Sequence, residues 1–295
     1  MKKLLLTQRA DTPHLVGNGF PVRSIFTYND LANTISPFLL MDYIGPTEFS
    51  PSKSSERRGV GEHPHRGFET VTIMFSGEVE HRDSSGGGGI IRSGDVQWMT
   101  AGSGVVHEEF HGKEISEKGG AFHGLQLWVN LPAKDKMTKP KYQGIKKESI
   151  PVVELPNDAG TVRVIAGSYL GAQGPASTFT PINLWDITLK AEKLVEFKVP
   201  AGHTAAVFVA SGSVEAGEGK VIEDAELAVL SRDKETFTLK ARQAAKVLFL
   251  GGEVINEPIF GYGPFVMNSG AEIAQAMKDY EAGKMGVLER LEGSD

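Results

Sequence analysis

Short apolar runs, each bounded by turn-forming residues, recur along almost the whole chain. They are rich in β-branched and aromatic residues and end at glycine, proline, serine or aspartate, which is the pattern of strands joined by tight turns. The clearest of them occupy residues 69–75, 90–91, 96–99, 124–131, 184–189, 205–209 and 247–250. Many short strands with few helical repeats predict a mainly β fold of the barrel or sandwich type.

One helix is predicted near the end of the chain. Ser269 and Glu272 stand three residues apart in a capping-box pattern, and Gly283 follows as a stop signal. Between them, small and apolar side chains fall on one helical face: Ile273, Ala276, Met277 and Tyr280. We therefore expect a short helix that packs against the rest of the fold through this face.

The net charge and the absence of cysteine exclude several classes of function. The 295 residues include 31 lysines and arginines against 37 aspartates and glutamates, a net charge of −6, so no positive field would attract nucleic acid or an anionic membrane. Cysteine is absent, which excludes disulfides, thiolate nucleophiles and cysteine-ligated zinc or iron–sulfur sites. Any metal must therefore be bound by His, Asp or Glu.

The apolar runs are too short for targeting or membrane insertion. The N-terminal run ends at Leu6, short of the roughly 7–15 apolar residues of a secretory signal. No other run approaches the roughly 20 apolar residues of a membrane helix. We expect a soluble, cytoplasmic protein.

The chain divides near its middle. Between residues 133 and 147, lysines, Pro140 and Gly144 replace the apolar alternation. The two halves also share a short repeat, because FSGEVEH at 75–81 matches ASGSVEA at 210–216, and each match follows an apolar strand. This favours a duplicated β domain with a hairpin turn at each match. The prediction is an N-terminal domain over 1–135, a solvated linker over 136–160 and a C-terminal domain over 161–295.

The histidines concentrate in one segment: six of the eight lie between positions 63 and 123. Two pairs have the spacing of ligands, His63 with His65 and His107 with Glu109. Residues i and i+2 of a strand point to the same face, so two such pairs on facing strands form a four-ligand cage. This donor set suits Fe(II), Mn, Ni, Cu or Zn better than Ca or Mg, and it leaves coordination positions open for catalysis.

Three segments of the first half carry a family resemblance. They are GEHPHRGFET at 61–70, GDVQWMTAGSGVVHEE at 94–109 and HGLQLWVNL at 123–131, and NEPIFGYGPFVMN at 256–268 extends the likeness to the C-terminal region. Together they resemble the pirin family of the cupin superfamily. The resemblance implies a bicupin, two double-stranded β-helix barrels in one chain, with one metal ion, preferentially Fe(II), held by His63, His65, His107 and Glu109. It also implies that Glu69, a ligand in many other cupins, is structural here.

The second half lacks equivalent ligands. An offset of 135 places Lys198 and Pro200 at the positions of His63 and His65, and alignment of Asp95 with Asp224 places Thr236 and Thr238 at the positions of His107 and Glu109. None of these four side chains is a useful ligand. We expect a C-terminal cupin domain without a metal.

Several residues near the motifs allow two interpretations. Arg66 either steers an anionic substrate or is a solvated strand-edge residue. His123 either lines the pocket or is a core histidine with its hydrogen bonds satisfied, and His111 is expected at the surface. The glycine-rich loop at 84–89 lacks the lysine and helix start of a phosphate-binding loop and is predicted to be a hairpin tip.

Three functions fit such a cage. The resemblance implies a quercetin 2,3-dioxygenase-like enzyme that acts on flavonols with O2, in which Glu109 is both ligand and proton acceptor. It also implies an alternative, an iron-binding, redox-sensing protein that binds a transcription factor or a metabolic enzyme. A zinc or nickel cupin with hydrolytic or isomerase chemistry is the third hypothesis. We favour the first.

Overall fold

The computed structural model describes residues 1–52, 57–217 and 219–288. The chain forms two compact units, each assembled from separate segments. The His-rich unit comprises Pro13–Arg23, Leu40–Lys147 and Asn256–Asp295. The apolar unit comprises Met1–Thr12, Ser24–Leu39 and Glu148–Ile255. None of the helices in the described ranges is both long enough and apolar enough to cross a membrane.

The strands, in chain order, are β1 (Leu4–Arg9), β2 (His14–Val16), β3 (Phe20–Phe26), β4 (Phe38–Phe49), β5 (Gly59–His65), β6 (Phe68–Ser76), β7 (Glu78–Asp83), β8 (Gly88–Arg92), β9 (Val96–Thr100), β10 (Val105–His111), β11 (Gly120–Asn130), β12 (Lys141–Ile145), β13 (Val152–Glu154), β14 (Gly160–Ala166), β15 (Ser168–Tyr169), β16 (Ala172–Gln173), β17 (Ile182–Leu189), β18 (Leu194–Lys198), β19 (Thr204–Ser211), β20 (Val214–Ala216), β21 (Lys220–Ile222), β22 (Glu226–Leu230), β23 (Thr236–Ala241), β24 (Ala245–Gly252), β25 (Phe260–Tyr262) and β26 (Phe265–Met267). The α-helices are α1 (Ala32–Ile35), α2 (Lys113–Lys118) and α3 (Gly270–Glu281), and single 3₁₀ turns span Ala133–Asp135, Lys147–Ser149 and Pro156–Asp158. The mainly β prediction is confirmed, and each predicted run lies largely within a strand.

Two antiparallel sheets build the barrel of the His-rich unit. One has seven strands in the order β12-β9-β6-β11-β4-β3-β2, and the other has four in the order β5-β10-β7-β8. Apolar side chains from both sheets form a core in this barrel: Phe20, Val22, Ile44, Met74, Val79, Ile91 and Phe122, with Ile115 of α2. Phe20, Val22 and Ile44 also line the cavity that contains the histidines described below.

The apolar unit repeats this arrangement. Its sheets have the orders β1-β22-β19-β24-β17-β14-β13 and β18-β23-β20-β21. The repeated SGxVE segment lies at the same point of both folds, after β6 in one unit and after β19 in the other. Gly77 and Gly212 both take φ of +79° there, a conformation that glycine adopts without strain. Because β6 and β7 belong to different sheets, the turn passes the chain between sheets, and the predicted hairpin is wrong.

The observed units differ from the predicted linear division. Strand β1 pairs with β22, from Leu4 opposite Leu230 to Arg9 opposite Glu226, so the first residues belong with the apolar unit. The predicted linker over 136–160 contains β12, which extends the seven-stranded sheet by pairing with β9, and β13, which pairs with β14. A lysine-rich composition therefore marks an edge strand here, where charged side chains are tolerated.

Helix α3 begins and ends where the sequence predicts, but its buried face is different. The Ser269 hydroxyl accepts a hydrogen bond from the Glu272 backbone N–H, as expected of the cap. Ile273 and Ala276 are buried, whereas Met277 and Tyr280 are exposed, and the third buried position is Asp279. Asp279 takes this place because Arg66 donates a hydrogen bond to its carboxylate at 2.9 Å. The buried face of α3 therefore includes an ion pair, and Met277 and Tyr280 lie outside it.

Candidate metal centre

Strands β5 and β10 bring the two predicted ligand pairs together. They are antiparallel neighbours in the four-stranded sheet, with His107 opposite His63 and Val105 opposite His65. The β10–β5 pairing has a register irregularity between His107 and Glu109, so Glu109 stands opposite Val60 of β5. The β10–β7 pairing is regular and places Glu109 opposite His81. The alternation of the strands places all four predicted ligands on the same side of the sheet.

The three histidines converge at short distances. The ring centroids of His63 and His107 are 4.2 Å apart, those of His65 and His107 are 4.8 Å apart, and those of His63 and His65 are 5.0 Å apart. One ring nitrogen from each lies within 4.8 Å of the other two. Such spacing leaves room for one ion between the three nitrogens, at the roughly 2.0–2.2 Å typical of metal–imidazole bonds.

Hydrogen bonds on the far side of the rings orient two of them. Nδ1 of His63 lies 2.8 Å from the Gly61 carbonyl, and Nδ1 of His65 lies 3.3 Å from the Pro264 carbonyl. A carbonyl only accepts, so Nδ1 carries the proton and Nε2 presents its lone pair. Nε2 of His65 is buried without a hydrogen-bond partner in the described structure, as is Nε2 of His107. Orphaned acceptors in this position fit a metal ion.

The protonation states of His65 and His107 agree with this geometry. Burial, together with the neighbouring His63, holds the pKa of both His65 and His107 well below the ordinary histidine value. Both rings are therefore neutral at physiological pH, which is the form that binds a metal.

Glu109 supplies the carboxylate beside this cluster. Its side chain is buried and accepts hydrogen bonds from Nε2 of Gln126 at 3.0 and 3.3 Å. The Gln126 carbonyl accepts in turn from the Trp128 indole at 3.3 Å. A carboxylate oxygen of Glu109 lies within 4.8 Å of ring nitrogens of His107 and His81. Glu109 also lines the same cavity as His63 and His65.

The cavity has a volume of about 380 Å³. Its wall is formed by both sheets and by the loop after β25: Val16, Phe20, Val22, Asp42, Ile44, Val60, His63, His65, Glu109, Gln126, Trp128 and Pro264. Most of the lining side chains are apolar, and the polar ones are His63, His65, Glu109, Gln126 and Asp42. Such a pocket suits a flat, largely apolar molecule that presents polar atoms to the histidines.

Glu69 lies on the other face of its strand. Its neighbour Thr70 pairs with Trp128, which lines the cavity, so the alternation of β6 points Glu69 away from the cavity. There the Thr100 hydroxyl donates a hydrogen bond to the carboxylate at 2.7 Å. Burial raises the pKa of Glu69 from 4.5 to about 7. This placement is that of a structural residue.

The raised pKa of Glu69 predicts how stability changes with pH. Between pH 4.5 and 7 the folded protein retains a proton that the unfolded chain releases, so stability falls across this interval by about 3 kcal/mol. Glu69→Gln removes the titration and keeps an acceptor for Thr100. We expect the unfolding free energy of this variant, relative to wild type, to rise by about 3 kcal/mol from pH 4 to pH 8 in urea titrations. A pH-independent difference, like that expected of the exposed control Glu154→Gln, would contradict this.

Two further histidines, His111 and His123, have structural environments. His111 was expected at the surface, but it is buried, because it shares the inward face of β10 with His107 and Glu109. Its Nε2 lies 2.8 Å from the Gly19 carbonyl and its ring stacks on Phe122. His123 is hydrogen-bonded to the Tyr43 hydroxyl at 2.8 Å and does not line the cavity, as the core interpretation proposed.

Arg66 is buried, so its interpretation as a solvated residue is wrong, and its guanidinium is engaged by acceptors of the protein. Besides Asp279, it donates a hydrogen bond to the Ser103 carbonyl at 2.7 Å, and its backbone pairs with the segment Pro264–Val266. The loop at 84–89 connects β7 to its antiparallel neighbour β8, as a hairpin tip should.

The interior of the apolar unit is filled with aromatic and aliphatic side chains. Phe197 pairs with Phe237 at the register position that His63 and His107 occupy in the other unit, and both rings are buried with Phe249. Lys198 and Pro200 are exposed, and the sequence alignment that placed them at the ligand positions was wrong by one residue, which in a strand exchanges the two faces.

The fold and the histidine cluster define a two-barrel protein of the cupin type with a candidate metal centre among the residues that the structure describes. The chain belongs to the pirin family: residues 19–129 match the profile of that family, described as Pirin, and residues 184–286 match the Pirin C-terminal cupin domain.

Close relatives extend the match over nearly the full chain. A Pseudomonas aeruginosa protein named "Putative quercetin 2,3-dioxygenase" is 52% identical over 284 residues, 96% of this chain and 98% of its own. Pirin-1 of Arabidopsis thaliana is 38% identical over 279 residues, 92% of this chain and 90% of its own. The crystal structure of quercetin 2,3-dioxygenase from Acinetobacter baumannii superposes with a TM-score of 0.94 at 51% identity, covering 98% of this chain and all of the other.

Proposed function

We propose that this protein is a metal-dependent dioxygenase that cleaves flavonols of the quercetin type with O2. The observation that carries the proposal is the convergence of three imidazoles, two of them with orphaned Nε2 atoms, beside a buried carboxylate at the end of an apolar cavity. The names of the 51–52% identical relatives support the choice of substrate.

In this proposal His63, His65, His107 and Glu109 hold one divalent metal ion, with Fe(II) preferred and Mn, Ni, Cu or Zn compatible with the donor set. The bound metal would supply the redox and Lewis-acid chemistry that brings O2 and the flavonol together. Nitrogen and carboxylate donors bind such ions, and an open pocket on the cavity side leaves space for a substrate oxygen.

The residues of the cavity would bind and orient the flavonol. Phe20, Ile44 and Trp128 present apolar surface to a flat aromatic ring system. Asp42 on the wall can accept a hydrogen bond from a hydroxyl on the remote ring. The volume of about 380 Å³ lies within the range of roughly 300–1,000 Å³ that is usual for small-molecule sites.

Glu109 would take the proton of the substrate's 3-hydroxyl. A flavonol reacts through its deprotonated form, and a carboxylate next to the metal position is placed to receive this proton. Gln126 orients the carboxylate by donating to both of its oxygens, and Trp128 fixes the Gln126 amide. This chain of hydrogen bonds keeps Glu109 aimed at the histidine cluster.

Metal analysis tests the stoichiometry of the site. We expect one tightly bound metal ion per chain after purification and loading, because the interior of the apolar unit is filled with side chains such as Phe197 and Phe237. His63→Ala should lower the metal content measured by inductively coupled plasma mass spectrometry. Two equivalents per chain, or full metal content in His63→Ala, would contradict the assignment.

A further inference from the structure

A chain of buried side chains leads from the candidate metal position through β10 to β7. Nδ1 of His107 lies 3.3 Å from Nδ1 of His81, and Nε2 of His81 lies 3.4 Å from Oδ2 of Asp83. All three residues are buried, and Tyr142 stacks on the His81 ring with centroids 5.2 Å apart. Neither His81 nor Asp83 belongs to the ligand set proposed above.

The order of donors along this chain follows from its last member. Oδ1 of Asp83 already accepts from the Ser85 N–H, the Ser85 hydroxyl and the Gly87 N–H, and Oδ2 faces Nε2 of His81, so the carboxylate serves only as an acceptor. His81 must then carry its proton on Nε2, which leaves a lone pair on Nδ1. That lone pair accepts the Nδ1–H of His107, and Nε2 of His107 is left with its lone pair facing the cluster.

We propose that Asp83 and His81 are positioning residues that fix the tautomer of His107, so that its Nε2 is always ready to bind the metal. The inference rests on the proposed metal centre and adds to it two residues that direct one ligand without touching the ion. Hydrogen-bonded partners of this kind typically change metal affinity 10–100-fold when they are altered.

The position of β10 explains why His107 needs a side-chain partner. His63 and His65 donate to the carbonyls of Gly61 and Pro264, whereas β10 is paired on both sides, with β5 and with β7. The carbonyls of a strand paired on both sides are engaged in the sheet. A histidine of the neighbouring strand, itself held by a carboxylate, takes the place of the missing carbonyl.

Asp83→Asn is a sharp test because the structure fixes which way the new amide points. Oδ1 of Asp83 accepts three hydrogen bonds, from Ser85 N–H at 2.8 Å, from the Ser85 hydroxyl at 2.7 Å and from Gly87 N–H at 3.0 Å. The amide oxygen of asparagine will occupy this position, and its NH2 group will face His81. The donor order then reverses along the chain, and the proton of His107 moves to Nε2, where it blocks the metal.

We expect Asp83→Asn to weaken Zn(II) binding 10–100-fold in competition with a chromophoric chelator. Long-range ¹H–¹⁵N spectra of the metal-free protein should show His107 protonated on Nδ1 in wild type and on Nε2 in the variant. The matched control is Asp95→Asn, another buried aspartate of the His-rich unit that accepts backbone hydrogen bonds, from Lys147 and Arg92. Asp95→Asn should keep the wild-type affinity for Zn(II), and His107 should remain protonated on Nδ1.

Variants of His81 separate positioning from direct ligation. Asparagine at position 81 can keep an acceptor near the place of Nδ1, whereas leucine removes it, so His81→Asn should bind Zn(II) more tightly than His81→Leu. The number of imidazole ligands in X-ray absorption spectra should remain three in both. Loss of one imidazole in His81→Leu would make His81 a ligand and overturn the positioning role.

Two results distinguish a failure of the positioning role of Asp83 and His81 from a failure of the proposed metal centre. If wild type binds one Zn(II) and Asp83→Asn binds it with the affinity of Asp95→Asn, the positioning role is overturned while the metal centre stands. If folded wild type binds no Zn(II), the metal centre itself is overturned, and the positioning role with it.

Discussion

Glu109→Gln is expected to lower kcat/KM for quercetin at least about 100-fold while the protein remains folded. Glutamine keeps the shape of the side chain, but it has no negative charge to bind the metal or to receive the proton of the 3-hydroxyl. Metal content and oxygen uptake should be measured on the same preparation, so that loss of the metal and loss of the base are separated. The circular dichroism spectrum should match that of wild type.

The neighbouring residue offers a matched control for this variant. Glu108 lies on the opposite face of β10, where its carboxylate pairs with the guanidinium of Arg82. Glu108→Gln makes the same chemical change one residue away and should retain close to full activity. Equal activity of the Glu109 and Glu108 variants at equal metal content would show that Glu109 is not the proton acceptor.

Lys136→Met is expected to lower the free energy of unfolding more than the other substitutions described above. Nζ of Lys136 is buried, which lowers its pKa to about 7, and it donates hydrogen bonds to the Gly67 carbonyl at 2.7 Å, the Asn130 side-chain carbonyl at 2.7 Å and the Val266 carbonyl at 2.9 Å. Methionine has similar length but leaves these oxygens without the donor. Orphaned buried acceptors cost about 1–3 kcal/mol each, and we expect a total loss of at least about 3 kcal/mol.

Urea unfolding followed by fluorescence measures this loss. Lys134→Met is the control, because Lys134 is exposed in the 3₁₀ turn that Lys136 directly follows, and it should change stability by less than about 0.5 kcal/mol. Lys136 also connects residue 67, two positions after His65, to the segment that provides the Pro264 carbonyl, so the metal content of Lys136→Met should fall as well. Wild-type stability in Lys136→Met would show that the three carbonyls find other donors.

The features that could be predicted from the sequence are those that depend on the local periodicity of a strand or a helix. The i, i+2 spacing of His63 and His65 gave a shared face on one strand, and the barrel brings this face beside His107, as the motif spacing indicated. The capping box at Ser269 gave the start of α3. These features depend on neighbours in the chain, and the strand or helix period carries them into the structure.

Contacts between distant segments could not be predicted in the same way. Pro264 orients His65 across 199 positions, and Asp279 reaches Arg66 across 213 positions. The register irregularity after His107 placed Glu109 opposite Val60, and the pairing of β10 with β7 placed His81 opposite Glu109. No sequence pattern indicated His81 and Asp83 as partners. The one-residue error at Lys198 has the same origin, because register is set by the partner strand.

Oxygen uptake by the fully metal-loaded wild-type protein in the presence of quercetin tests the central claim most directly. The protein is loaded anaerobically with Fe(II) to one equivalent per chain, and O2 consumption is followed with an electrode together with the loss of quercetin absorbance. We expect one O2 consumed for each quercetin lost, with many turnovers per metal ion. Fully loaded, folded protein that consumes no O2 with quercetin would contradict the proposed function.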